Sequence, residues 1–319
     1  MKPLLIYNPT SLADASAYLT KNAGSAAFAG GTEVYHSLKQ NCLPNLPTTL
    51  VNLKAITGLD YITESGGMLK IGPLTKLSEI ANSSTVQTNY RALAQAAGAV
   101  ASPLIRNMGT IAGNIGQDVA CWYYKQTDNI YNCIRKGGAV CFAQAGDNRY
   151  YHSIFGTKAG CYSVSPTDTG IALSALNASV VTTKQTLTMD QFFYAMAPGN
   201  NLATGELITE IDVPTPATGS KSAFVKFALR PSIDFALVSA AVWYTPASGA
   251  VTDSRIYLGG VYQTPYRATA GETALKGQTI SSTVGMTVGQ AAVANASAMT
   301  GNSYKKQAAA AMIQRALLA

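Results

Sequence analysis

Apolar residues recur along this chain at two spacings, every second position or every third and fourth, and the switches between them mark its elements. A short apolar run at Leu4–Tyr7 predicts a first strand, and Leu12, Ala15 and Leu19 form one face of a helix over Ser11–Leu19. Ala26–Ala29 predicts a second strand running into Gly30-Gly31-Thr32, with a helix over Glu33–Lys39 behind it. This is a βαβ-like module whose second loop carries the glycines. Pro44 and Pro47 break the chain before a strand at Thr49–Leu53.

Alternation near Asp60–Thr63 and Leu69–Ile71, on either side of Gly66-Gly67, predicts a hairpin. Helices follow over Thr75–Ala81 and Tyr90–Val100, the second with Leu93, Ala96, Ala97 and Val100 at helical spacing. Periodicity then fades from Asp118 to about Cys161, and an irregular stretch of that length needs a functional reason or an internal staple. Order returns with a helix over Thr167–Ala175, a strand over Ser179–Thr183 and a turn toward a helix at Thr188–Phe193. Ala197–Glu206, with Pro198, Gly199 and Gly205, marks the start of a C-terminal domain. That domain has strands at Leu207–Val213, Phe224–Ala228, Ala240–Tyr244 and Val251–Leu258, and an alanine-rich closing helix at Lys305–Leu318.

With 319 residues, 47% hydrophobic and 12% charged, the chain can bury a large core and is too apolar for disorder. Its net charge of +7 is scattered, with no arginine-rich helix or basic–aromatic repeat, which sets nucleic-acid binding aside. No apolar run reaches the roughly 18 residues that span a bilayer. The stretch Met1–Pro9 lacks a secretory hydrophobic segment. The expectation is a chain with no export signal of its own, cytoplasmic, or periplasmic if a signal-bearing partner carries it.

Candidate chemistry gathers in glycine loops and cysteines. Gly30-Gly31-Thr32 presents unobstructed backbone N–H groups and a hydroxyl, suited to cradle a pyrophosphate. A second run, Ile105-Arg106-Asn107-Met108-Gly109-Thr110-Ile111-Ala112-Gly113-Asn114, can do the same, with Arg106 either pairing with phosphate or organising the loop. Tight turns are the plainer explanation of either run alone. Neither is a G-x-G-x-x-G fingerprint or a P-loop, which disfavours a nicotinamide dehydrogenase of Rossmann type and a nucleotide hydrolase. Asp168 stands at a helix start, where it either caps the helix or bonds a ribityl or ribose hydroxyl. Lys226 and Arg230 flank an apolar strand, as salt-bridge partners or cofactor contacts.

Four of five cysteines, Cys121, Cys133, Cys141 and Cys161, fall in the irregular segment with 11, 7 and 19 residues between them. Those gaps match neither the paired spacing of common zinc sites nor the compact runs of ferredoxins. An iron–sulfur cluster, a structural zinc and buried free thiols all remain open on spacing, and Cys42 reads as a structural thiol. The only histidines, His36 and His152, lie in no recognisable zinc-enzyme arrangement, and no G-x-S-x-G or H-E-x-x-H motif occurs. So few acid–base groups suit a protein whose cofactor does the chemistry.

The ordered set Ala29-Gly30-Gly31-Thr32, Ile71-Gly72-Pro73-Leu74-Thr75, Ile105-Arg106-Asn107, Thr110-Ile111-Ala112-Gly113-Asn114, Ser165-Pro166-Thr167-Asp168, Gly205-Glu206-Leu207-Ile208 and Leu258-Gly259-Gly260-Val261 resembles the FAD-binding subunit of the molybdenum-containing hydroxylases. That family spans xanthine dehydrogenase, aldehyde oxidoreductase and carbon monoxide dehydrogenase, and the resemblance covers nearly the whole chain. It implies an α+β protein, in which an N-terminal α/β lobe (1–57) and a middle lobe (58–197, with the insert 118–161) clasp FAD ahead of a C-terminal α/β domain (198–319). It also implies pyrophosphate contacts from Gly30, Gly31, Thr32, Thr110, Gly113 and Asn114, flanked in the two loops by Ala29, Glu33, Ile105, Arg106, Asn107 and Gly109. Asp168 then corresponds to an aspartate near the ribityl chain and Lys226 to a flavin-side lysine.

The partners so implied are a large molybdopterin subunit that oxidises the substrate and a small subunit with two [2Fe-2S] clusters. Electrons would pass from these through FAD to an external acceptor. The cysteine insert resembles that of periplasmic aldehyde oxidoreductases and, more loosely, of 4-hydroxybenzoyl-CoA reductases, which implies a [4Fe-4S] cluster on Cys121, Cys133, Cys141 and Cys161. A free-standing flavin NAD(P)H oxidoreductase and a zinc-stapled structural subunit are the competing expectations.

Overall fold

The computed structural model describes residues 3–319; Met1 and Lys2 lie outside the described residues. The N-terminal lobe is a three-stranded parallel sheet in the order β1 (Leu5–Tyr7), β3 (Thr49–Asn52), β2 (Ser25–Phe28). Alternation on β3 explains the layering. Val51 faces Ala15 of α1 (Leu12–Lys21), while Leu50 faces Phe28 and Leu38 of α2 (Val34–Gln40). Both β3 side chains are fully buried, each contributing about 1.5–3 kcal/mol. Ser11 caps α1 by accepting from the Asp14 N–H.

The middle lobe begins with the hairpin β4 (Ile62–Ser65) and β5 (Met68–Ile71). Five helices follow: α3 (Leu77–Asn82), α4 (Ser84–Asn89), α5 (Arg91–Ala99), α6 (Pro103–Arg106) and α7 (Ile111–Gly116). Residues 118–161 then hold only three single turns of 3₁₀ helix, as the missing periodicity leads one to expect. Beyond them α8 (Asp168–Ala175) is buried along its whole length. The remaining elements are β6 (Ser179–Thr182), β7 (Thr186–Thr188), α9 (Met189–Phe192) and β8 (Ile208–Pro214).

The strands form one antiparallel sheet, ordered β4-β5-β8-β6-β7. This corrects one expectation: the strand predicted at Leu207–Val213 pairs with β5 and β6 rather than with the C-terminal strands. Its alternation is right, but alternation carries no record of which sheet a strand joins.

The C-terminal sheet is antiparallel, ordered β12 (Tyr266–Arg267), β11 (Ala250–Gly259), β10 (Val238–Ala247), β9 (Lys221–Phe227). Ala240, Val242 and Tyr244 of β10 face a layer of α10 (Thr269–Leu275), α11 (Ser282–Ala292) and α12 (Tyr304–Leu318). Ala241 and Trp243 face the opposite way, into the core of the middle lobe. The two-sided burial of β10 therefore joins the C-terminal sheet to α5 and α8, and so carries Lys226 on β9 toward Asp168. No helix among the described residues is long and apolar enough to cross a membrane.

Candidate functional site

The chain leaves β2 through Ala29, Gly30 and Gly31 and enters α2. Gly31 has φ +78°, a backbone state that favours glycine. A Cβ on Gly30 would lie 2.1 Å from the Met108 carbonyl oxygen, so the two glycine loops meet backbone to backbone where only glycine fits. The N–H groups of Gly30, Gly31 and Thr32 make no hydrogen bond within the described residues. They form a short row of free donors beside the second loop.

That second loop satisfies itself. The Ile105 carbonyl accepts from Met108 (3.1 Å) and Gly109 (2.7 Å), and Thr110 caps α7 by accepting from the Gly113 N–H at 3.2 Å. Leu77 N–H to Gly109 O (2.9 Å) and Ile111 N–H to Thr75 O (3.0 Å) tie the loop to the entrance of α3. Of the two roles open to Arg106, the geometry serves loop organisation: its guanidinium donates to the carbonyls of Val100 (2.8 Å) and Ala101 (3.4 Å). Asn107 and Gly113 are exposed, whereas Asn114 is buried and its Oδ1 accepts from the hydroxyls of Thr167 (2.8 Å) and Thr169 (2.6 Å). Asn114 thus joins the N-termini of α7 and α8.

Asp168 does not cap α8. Thr167 does, accepting from the Gly170 N–H at 3.0 Å. The Asp168 carboxylate instead pairs with Lys226 Nζ at 2.7 Å, both side chains buried, and Lys226 also donates to the Ala99 carbonyl at 3.0 Å. Burial raises the Asp168 carboxyl above its ordinary range, and Lys226 opposes that shift. Arg230 pairs locally with Asp234 and is exposed.

The cysteine segment wedges between the lobes. Glu33, at the exit of the first glycine loop, forms an ion pair with Lys125, whose N–H bonds the Cys121 carbonyl. Arg135 is buried, pairs with Asp118 at 2.6 Å and donates to the Ala195 carbonyl at 2.8 Å; Tyr124 also donates to Asp118. Gln263, between the C-terminal strands β11 and β12, donates to the Cys161 carbonyl at 2.6 Å. Trp122 contacts Tyr150 and Tyr151, and Tyr151 meets Phe235 edge-on.

All five cysteines are free; Cys133 and Cys161 are buried, Cys121 and Cys141 half-buried. Burial pushes the Cys121 thiol up to about 12, with smaller contributions in the same direction from Cys161 and Cys141. Burial also raises Cys141, with Cys161 and Cys133 acting the same way. The four thiols therefore share one electrostatic neighbourhood. Lys136 Nζ is buried there without a hydrogen-bond partner; burial lowers its pKa, and ionised Cys133, Cys42 or Cys121 would each oppose that and favour its charge. Among the described residues, no three His, Cys, Asp or Glu side chains converge tightly enough for one metal ion.

His152, which lies in no recognisable zinc-enzyme arrangement in the sequence, places Nε2 3.3 Å from Cys121 Sγ. It is fully buried, and burial together with the nearby Lys305 ammonium holds its pKa down to about 4. No spacing rule links positions 121 and 152.

Residues 2–216 match the family described as FAD binding domain in molybdopterin dehydrogenase, and residues 223–319 the CO dehydrogenase flavoprotein C-terminal domain. The chain is 31% identical to the aldehyde oxidoreductase FAD-binding subunit PaoB of Escherichia coli (strain K12), over 86% of each chain. It is 26% identical to the carbon monoxide dehydrogenase medium chain of Hydrogenophaga pseudoflava, over 97% of this chain and 94% of that one. The fold matches a solved structure of carbon monoxide dehydrogenase from Hydrogenophaga pseudoflava that lacks the Mo-pyranopterin moiety of its cofactor. That match has a TM-score of 0.78 at 25% identity and covers 100% of this chain and 97% of the other. This chain belongs to the family of FAD-binding medium subunits of the molybdenum hydroxylases.

Proposed function

We propose that the chain is the FAD- and [4Fe-4S]-carrying electron-transfer subunit of a molybdenum hydroxylase complex. Its partners are a large molybdopterin subunit, where substrate is oxidised, and a small subunit with two [2Fe-2S] clusters; an external acceptor takes the electrons. The observation that carries the flavin assignment is the row of unpaired N–H groups at Gly30, Gly31 and Thr32, facing a glycine loop that a side chain would block. An anionic pyrophosphate supplies acceptors for these donors, which are half-buried at Gly30 and Gly31 and exposed at Thr32.

In this reading Gly30, Gly31 and Thr32 bind the pyrophosphate through N–H groups. Thr110, Gly113 and Asn114 bound its other side, with Ala29, Glu33, Ile105, Arg106, Asn107 and Gly109 shaping the two loops. Asp168 lies toward the ribityl chain and Lys226 toward the flavin, and their ion pair keeps a charged lysine in place without leaving a net buried charge. Bound FAD and cluster supply the one- and two-electron chemistry, and no side chain of the chain has to react.

Cys121, Cys133, Cys141 and Cys161 are assigned to the cluster. A zinc ion draws its four sulfurs to about 3.8 Å of one another, from a metal–sulfur bond of about 2.3 Å in a tetrahedron. A four-iron cluster engages each thiol through a different iron and needs no such convergence. Charge on Lys136 would favour ionised sulfur at Cys133 and Cys121.

The deciding measurement is iron, sulfide, zinc and FAD content after anaerobic purification with the co-expressed partners. Near four irons, four sulfides and one FAD per chain is the expected result. FAD without iron would reduce the four cysteines to thiols, and stoichiometric zinc without visible absorbance would replace the whole reading by a stapled scaffold.

A further inference from the structure

Three segments far apart in sequence bring aromatic rings to one surface. Trp122 meets Tyr150 and Tyr151 at 5.8 and 5.2 Å between ring centroids, and Tyr151 meets Phe235 at 6.0 Å. Tyr304, the first residue of α12, donates its hydroxyl to the Arg149 carbonyl at 2.8 Å, and the Arg149 guanidinium lies 5.4 Å from the centre of the Tyr150 ring. Trp122, Phe235 and Tyr304 keep 40%, 39% and 38% of their surface exposed. Two ion pairs with exposed arginines, Arg149–Asp147 and Arg230–Asp234, border the rings. Aromatic rings and arginines inside a polar margin are the composition of protein–protein contacts.

The tip of the β9–β10 hairpin completes the surface and is held rigidly. Leu237 N–H closes it on the Phe227 carbonyl at 2.8 Å. Arg230 clasps Asp234 through its guanidinium (2.6 and 2.9 Å) and its own N–H (3.1 Å). Ile233 has φ +73° and donates its N–H at 3.1 Å to the carbonyl of Ala101, itself at φ +42°. A β-branched residue in that region is strained, yet Leu229 and Ile233 stay 55% and 47% exposed. Within this chain the strain does not bury either side chain. It preorganises an apolar tip for a partner, which spares the ordering cost on binding.

Position and charge select the occupant. The tip continues β9 directly from Lys226 and Phe227, so it borders the end of the site read above as the flavin side. Electron transfer slows steeply with distance, so the protein that feeds the flavin must seat close to that end. The chain's net charge of +7 favours an acidic face on whatever docks there. We propose that the patch of Trp122, Tyr150, Tyr151, Leu229, Ile233 and Phe235 is the docking surface for the small [2Fe-2S] subunit, which meets it with an apolar centre and an acidic margin. The assignment rests on the subunit roles proposed above and adds which face of this chain meets which partner.

Hydroxyl-radical footprinting of the unaltered chain, alone and in the complete complex, reads the patch directly. Oxidation of Trp122 and Phe235 should slow about fivefold or more in the complex, as expected of desolvated contact residues. A photo-cross-linking benzoylphenylalanine in place of Leu229 identifies the neighbour, and the small subunit is the expected product. Unchanged oxidation, or cross-links to the large subunit or to a second copy of this chain, overturns the proposal. Leu229→Glu sets a carboxylate against the acidic margin at an exposed position. It should weaken retention of the small subunit roughly tenfold or more without lowering the melting temperature of the chain; undiminished retention overturns the proposal. A purified complex without any small subunit would instead bring down the subunit roles themselves.

Discussion

The glycine loops and the cysteine segment lie side by side, tied through Glu33 and Lys125, yet they are held in shape by different means. Around the loops, regular elements supply the order: β2 and β3 deliver the first loop, and α3, α6 and α7 clamp the second through backbone hydrogen bonds. Residues 118–161 have no strand or α-helix of their own. Isolated backbone bonds hold their ends, as between Ala120 and Val164 and from Ile154 N–H to the Val261 carbonyl, and side chains do much of the rest: Arg135 to Asp118 and Ala195, Tyr124 to Asp118, Gln263 to the Cys161 carbonyl, and a cluster of aromatic rings. A site framed by backbone tolerates side-chain loss but not added bulk at its glycines. A site framed by side chains and ligation should behave in the opposite way.

The sharpest way to break that comparison is to damage each site by its own weakness. Cys133→Ser would offer the proposed [4Fe-4S] cluster a harder, less readily ionised ligand at a buried position. Iron should drop by at least one atom per chain or vanish, while FAD stays near one per chain. Full iron with an unchanged reduced spectrum would remove Cys133 from the ligand set. Gly30→Val is the converse change. Its Cβ would fall 2.1 Å from the Met108 carbonyl oxygen, so the loops must part. FAD retention should fall by an order of magnitude or more with iron unaltered, and full retention would show that the loops do not form the pyrophosphate cradle.

These two variants probe features that differ in how visible they are in the sequence. Periodicity located α1, α5, α8 and β9–β11 to within about three residues, because each has an apolar face the core needs. The glycine loops were visible as motifs, and their meeting explains why Gly30 cannot carry a side chain. Tertiary partnerships were not visible. Nothing in the local pattern says that Lys226 pairs with Asp168, that Thr167 rather than Asp168 caps α8, or that Arg106 turns back to α5. The same holds for β8, whose pairing is settled by two neighbouring strands far away in sequence. His152 stayed hidden because contact between positions 121 and 152 is made by the fold and not by spacing.

The Asp168–Lys226 pair sits where the core of the middle lobe meets the C-terminal sheet, and it separates binding from stability. Lys226→Met strands a buried carboxyl, at a cost of roughly 3–5 kcal/mol, so the melting temperature should drop even without FAD. The pH dependence has a definite sign. Burial already raises the folded-state Asp168 above its ordinary 3.8, and losing Lys226 raises it further. Below about that ordinary value both folded and unfolded chains hold the proton, and the group costs nothing. As pH climbs, the unfolded chain ionises first and stability is lost. The deficit of the variant should therefore grow from pH 4 toward pH 8; a deficit constant with pH would mean that Asp168 is not the group left behind.

The smallest effect belongs to the tie between the two regions. Lys125 and Glu33 keep 18% and 31% of their side chains exposed, so solvent screening limits their pair to about 0.2–1 kcal/mol. Lys125→Ala should leave iron and FAD contents intact and speed FAD loss no more than about fivefold, from that energy. Combining it with Glu33→Ala completes a double-mutant cycle. If the two changes cost no more together than either alone, the ion pair is the route by which loosening the cysteine segment reaches the flavin loop. Additive costs would mean that each residue supports only its own region, and that the two sites are neighbours without being coupled.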